Sequence, residues 1–137
     1  MVTLILGRKG SGKTKRLIDM CNKAVAETKG NVVFVEKNGV LIYDVNHKAR
    51  LVDADEYGIK GFDALYGFLS GMCAGNYDIT DIFVDSTLKL GGNDLEALAD
   101  FAEKLGALSK KVETRVVLSV SADKADIPER IASYAQE

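Results

Sequence analysis

Eight residues near the start of the chain constrain it most. Gly7-Arg8-Lys9-Gly10-Ser11-Gly12-Lys13-Thr14 fit the pattern G-x-x-x-x-G-K-[S/T]. An apolar run, Val2 to Leu6, leads in. A helical pattern leads out, with Leu17, Ile18, Met20, Cys21, Ala24 and Val25 recurring at three- and four-residue steps. A loop between a strand and a helix can wrap an anion if its backbone is free to turn inward. Gly7, Gly10 and Gly12 supply that freedom and leave N–H groups facing a ligand. The helix start adds about half a positive charge and unpaired donors, which suit a phosphate. The alternative is a plain glycine-rich turn. Four fixed positions recur by chance in roughly one chain of this length in a few hundred, so the phosphate reading is preferred.

This is the P-loop, or Walker A, pattern. It predicts a nucleotide-binding loop over Gly7, Arg8, Lys9, Gly10, Ser11, Gly12, Lys13 and Thr14. Lys13 is expected to reach the β- and γ-phosphates, and the Thr14 hydroxyl to hold Mg²⁺. Arg8 and Lys9 can meet phosphate or a partner; simple solvated charges are the alternative.

The rest of the composition narrows the class by exclusion. With 137 residues and a net charge of −2, the chain has room for one core and no overall basic character. Nucleic-acid binding is therefore not supported. Cys21 and Cys73 lie on predicted apolar helix faces and read as buried free thiols. There is no CxxC pair, and His47 stands alone as a turn residue. The first strand runs straight into the loop, without a charged leader, and no apolar stretch is long enough to span a bilayer. The expectation is a cytoplasmic, reducing compartment.

Along the chain, helix one is predicted from Lys13 to Glu27, with Gly30 near its C-cap. Val32 to Val35 reads as a buried strand ending at Glu36. Asn38-Gly39 before Val40-Leu41-Ile42-Tyr43 is a hairpin signal. Arg50-Leu51-Val52 then follows as part of a small antiparallel extension or as a further core strand. Helix two is expected over about Gly61 to Ala74, and a buried strand over Ile82 to Asp85. Lys89 to Gly92 reads as a loop, and Asn93 with Glu96 as a capping box for helix three, to about Lys110. Val116 to Val120 is another strand, and Asp126 with Pro128 starts a terminal helix. Alternating strands and helices predict a three-layer α/β fold, with a mostly parallel sheet and a small antiparallel hairpin extension. Residues 1–137 read as one domain. Ligands of such sheets bind beyond the carboxyl ends of the strands, where the P-loop, Glu36, Asp85 and Ser119 fall.

Asp85 closes the apolar run Ile82-Phe83-Val84, the Walker B arrangement, and is expected to hold Mg²⁺ opposite Thr14. Hydrolysis also needs a group to orient water. Ser86 stands where many P-loop ATPases carry Glu, so the candidate is Glu36; an exposed turn Glu is the alternative.

At these residues the chain resembles the RecA/KaiC-like branch of P-loop ATPases. The matching features are Gly7-x-x-x-x-Gly12-Lys13-Thr14, a Glu after the second strand (Val33-Phe34-Val35-Glu36) and a Walker B Asp followed by Ser (Val84-Asp85-Ser86). The resemblance implies ATP and Mg²⁺ as ligands and a RecA-like sheet in which the Val116–Val120 strand separates the P-loop and Walker B strands. It also implies catalytic roles for Lys13 and Glu36, Ser119 or Ser121 as a sensor near the γ-phosphate, and a homo-oligomer or protein partner that completes the site. No arginine finger is assignable among Arg50, Arg115 and Arg130.

The resulting expectation is a Mg²⁺-dependent ATPase, slow alone. A nucleotide-binding regulatory or assembly module with little turnover is the alternative from another class. A small-molecule kinase is disfavoured by loops poor in arginine. A GTPase is disfavoured because Asp123 in Asp123-Lys124-Ala125-Asp126 replaces the guanine-reading Asn, Leu88 replaces a switch glycine, and no Thr lies between Thr28 and Thr80.

Overall fold

Strands that are apolar on both faces need cover on both sides. The computed structural model, which describes residues 1–39, 41 and 44–136, provides it. Six strands form one sheet: β1 (Val2–Gly7), β2 (Asn31–Glu36), β3 (Arg50–Asp53), β4 (Ile79–Val84), β5 (Arg115–Ser121) and β6 (Ala135–Gln136). Their order is β3-β2-β4-β5-β1-β6, and every pairing is parallel. The helices are α1 (Lys13–Glu27), α2 (Phe62–Gly75), α3 (Thr87–Gly91) and α4 (Leu95–Val112).

Side chains alternate across each strand, and the two faces build two clusters. Ile5, Phe34, Phe83 and Val117 pack with Leu17, Cys21 and Ala24 of α1. Leu4, Val33, Val35, Ile82, Val84 and Leu118 pack with Leu65 and Leu69 of α2 and Leu98, Phe101 and Leu105 of α4. The cover is unequal. Beside α1, the chain leading into β3 adds Val45 and Ala49 to its cluster. Asn22 ties that segment to α1, donating to the Asp44 carbonyl and accepting from the Asn46 amide. Both cysteines are buried and unbridged. Among the described residues no helix is long and apolar enough to cross a membrane.

Several local expectations are corrected. Of the two readings left open for Arg50-Leu51-Val52, the further core strand holds and the antiparallel extension does not: Arg50–Asp53 runs parallel to β2 at the sheet edge, with Phe34 opposite Leu51. Val40, Ile42 and Tyr43, on which the hairpin's second arm would fall, lie outside the described residues. Thr87–Gly91 is a helical turn, not a loop, because buried Thr87 and Leu90 anchor it. Asp94, not Asn93, caps α4 and accepts from the Glu96 and Ala97 amides. Helix α1 ends at an extended Thr28, and Gly30 is needed for close approach: a Cβ there would lie 2.4 Å from the Asp78 carbonyl oxygen. The terminal segment forms 3₁₀ turns over Lys124–Asp126 and Glu129–Tyr134 instead of an α-helix, then adds β6 to the sheet. Pro128, interrupting that stretch, has no N–H to continue a helical ladder.

Candidate functional site

Parallel strands end on one edge, and the strand order decides which ends meet. β5 lies between β1 and β4, so the ends of the strand before the glycine-rich loop and of the strand before Asp85 both flank Ser119's strand. Period-two alternation does the rest. Glu36, Asp85 and Ser119 each follow by two residues a side chain of the α1 cluster (Phe34, Phe83 and Val117), so all three point to the side of the sheet that carries α1.

The loop itself is built by its glycines. Gly10 and Gly12 have φ of 83° and 87°, in the left-handed region, while a Cβ at either would meet nothing within 4 Å. Their requirement is conformational, not spatial. The Ser11 amide donates to the Arg8 carbonyl at 3.0 Å, and Lys13 folds back so that Nζ donates to the same carbonyl at 2.8 Å.

Asp85 is buried and gathers hydroxyls. Thr14 Oγ1 lies 3.2 and 3.1 Å from its two oxygens, Ser119 Oγ donates to Oδ1 at 2.7 Å, and Ser86 Oγ lies 3.4 Å from Oδ2. Ser119 Oγ also accepts from the Ser86 amide at 2.8 Å. That bond holds Ser86 in a left-handed conformation, φ 55° and ψ 51°, which costs on the order of 1 kcal/mol for a residue other than glycine. The turn swings the chain from β4 directly into α3.

A cavity of about 260 Å³ opens over this cluster and is lined by Lys9, Gly10, Lys13, Thr14, Asp85 and Ser119. Sites that enclose a whole drug-sized ligand usually measure about 300–1,000 Å³. This one lies just below that range. Lys89 and Asn93 line it as well, from α3 and the turn after it. Sequence reasoning missed both, because it took their segment for a loop; the buried Thr87 and Leu90 spaced three apart were the available signal. Ser86 and Ser121 complete the polar rim. Lys13 titrates below its ordinary value: burial is the main cause, Lys89 adds to it, and Asp85 opposes it.

Other expected residues stand apart from the cavity. Arg8 is exposed and lies 3.6 Å from Asp123, in the segment after β5, where Ala122 bridges back to Gly7. Glu36 is 2% exposed on β2, the strand adjoining β4; the Asp85 amide donates to Val35 next to it at 2.9 Å. Its Oε1 accepts from the Leu41 amide at 3.4 Å, and Glu36 is not among the residues lining the cavity. Arg115 pairs with Asp81 at 2.8 Å, two residues into β4, and Arg130 binds Asp100 and Glu103 on α4. Arg50 lies 3.3 Å from the Tyr57 hydroxyl.

Thr14 and Asp85 together offer hard oxygen donors that suit Mg²⁺. Among the described residues there is no group of three or more His, Cys, Asp or Glu that could hold a metal without help. Were Mg²⁺ held by these two, phosphate oxygens and water would have to supply its remaining ligands. No protein-family model matches the chain, and no curated protein matches its sequence.

Proposed function

We propose that the protein binds Mg²⁺–ATP through its P-loop and hydrolyses it slowly on its own. The single observation that carries this reading is the meeting of Lys13, Thr14, Asp85 and Ser119 at one small cavity beside a loop with two left-handed glycines. The loop amides and Lys13 bind the phosphates, and Lys13 is already partly desolvated there. Thr14 and Asp85 hold Mg²⁺, which neutralises charge on the β- and γ-oxygens when bound. Ser119 keeps the Asp85 carboxylate aimed at Thr14. Glu36, on the neighbouring strand end, is the residue assigned to orient the attacking water. The RecA/KaiC-like kinship, the homo-oligomer or partner and a cytoplasmic setting belong to the same proposal.

Two observations favour a second reading. Glu36 is buried and does not line the cavity, and Ser86 follows Asp85 where a catalytic Glu would otherwise stand. A nucleotide-binding regulatory module that holds ATP without turnover fits those two facts.

Isothermal titration with ATP and GTP in the presence of Mg²⁺, followed by phosphate release from the same sample, tests both readings. ATP binding with release that Glu36→Gln abolishes supports the ATPase. ATP binding without release supports the module. Binding of neither nucleotide refutes both.

A further inference from the structure

We propose that Lys89 is the cation that meets the terminal phosphate from within the same chain, where an arginine borrowed from a partner would otherwise be required. The proposal rests on the phosphate-site reading above. In phosphoryl transfer, negative charge on the terminal oxygens must be balanced by groups already in place. Lys13 and Lys89 line one cavity and reach it from different elements, the P-loop and α3. With Lys9, three lysines there face one carboxylate, Asp85, an excess of positive charge that suits a polyphosphate.

Lys89 is mounted on a fixed support. On either side of it, Thr87 is fully buried and Leu90 nearly so. Thr87 Oγ1 lies 3.4 Å from the Val84 carbonyl oxygen, and the Leu90 carbonyl accepts from the Gly61 amide at 2.8 Å. Gly91 packs so closely on Phe62 that a Cβ would lie 2.1 Å from the ring. The one exposed residue of this turn is Lys89, and it lies at the cavity. Among the described residues no carboxylate stands within ion-pairing distance of Lys89, and Asp85 is the one carboxylate that lines the cavity with it. The chain's arginines do not fill the role: none lines the cavity.

The test is the affinity of Lys89→Met for Mg²⁺–ATP and for Mg²⁺–ADP, measured by titration beside the wild type. A contact made only to the terminal phosphate lowers ATP affinity about 10-fold or more and leaves ADP affinity unchanged. Lys89→Arg, which keeps the charge, is expected to restore most of the loss. An unchanged ATP-to-ADP ratio in Lys89→Met overturns the proposal, whether both affinities hold or both fall together. That outcome leaves the phosphate site standing, because the wild type still binds. A wild type that binds neither nucleotide overturns the site reading, and this inference with it. Lys89 is exposed, so the variant's thermal midpoint is expected to match the wild type's.

Discussion

Replacing Asp85 by Asn separates the structural work of this residue from its charge. In the free protein its two oxygens face three hydroxyls: Thr14 at 3.1 and 3.2 Å, Ser119 at 2.7 Å and Ser86 at 3.4 Å. Asparagine keeps the shape and one acceptor oxygen. That oxygen can retain the short bond from Ser119, while the new NH₂ group faces Thr14 and Ser86, whose hydroxyls can turn from donor to acceptor. All three hydroxyl contacts lose the help of the charge, partly offset because a buried charge no longer has to be desolvated, for a net loss of about 1 kcal/mol. For a chain of this size that is a fall in thermal midpoint of about 3–6 °C. On the proposed reading the effect on Mg²⁺–ATP is larger, because the ion would lose its one charged protein donor. A contact of that kind is worth about 1.5–3 kcal/mol, or roughly 10–100-fold in affinity. The assay is titration with ATP in Mg²⁺ and again in EDTA. Wild type is expected to bind more tightly with Mg²⁺, and Asp85→Asn to lose most of that difference while keeping its affinity in EDTA. An unchanged Mg²⁺ effect in a folded variant would refute the assignment of Asp85.

Lys13→Ala is expected to lower ATP affinity about 10–100-fold in the same titration without lowering the thermal midpoint. Its side chain is already held below its ordinary pKa, mainly by burial, so removing the charge does not unfold the protein. Gly91→Ala places a methyl group against Phe62, whose ring is backed by Phe101 at 5.0 Å between centroids. Overpacking there is expected to cost about 1–3 kcal/mol in urea denaturation and, by shifting α3, to weaken ATP more than ADP. Burial pushes the Cys21 thiol up to about 11, so alkylation at pH 8 is expected to be slow until denaturant is added. With the folded value raised above the ordinary thiol value of 9.0, stability from this group is complete below pH 9 and declines as pH rises from there towards 11. A urea series across that range, comparing wild type with Cys21→Ala, reads the difference.

Local rules made much of this protein legible in its residues. Periodicity alone marked α1 from Lys13 to Glu27, and β-branched runs marked the strands at Val32 to Val35, Ile82 to Val84 and Val116 to Val120. Gly10 and Gly12 read correctly as turn-makers, because a left-handed φ is a property of one residue and its neighbours; Gly7 lacks that φ and is instead a point of close approach, where a Cβ would lie 2.4 Å from Ser11 Oγ. What local rules could not reach were features held in place by distant contacts. Thr87–Gly91 is too short to show a helical period and is helical because Thr87 and Leu90 are buried and Gly91 lies flat on Phe62. β6 has two residues and exists only because β1 offers it an open edge. Asp85, Ser119 and Thr14 lie far apart in sequence, so their meeting depends on the order β4-β5-β1, which no stretch of the chain encodes alone. The sequence by itself determined that a glycine-rich loop would sit between a strand and a helix. The tertiary structure decided which side chains face it, Lys89 among them, and left Glu36 buried at one side, because strand order and side-chain alternation are properties of the assembled sheet.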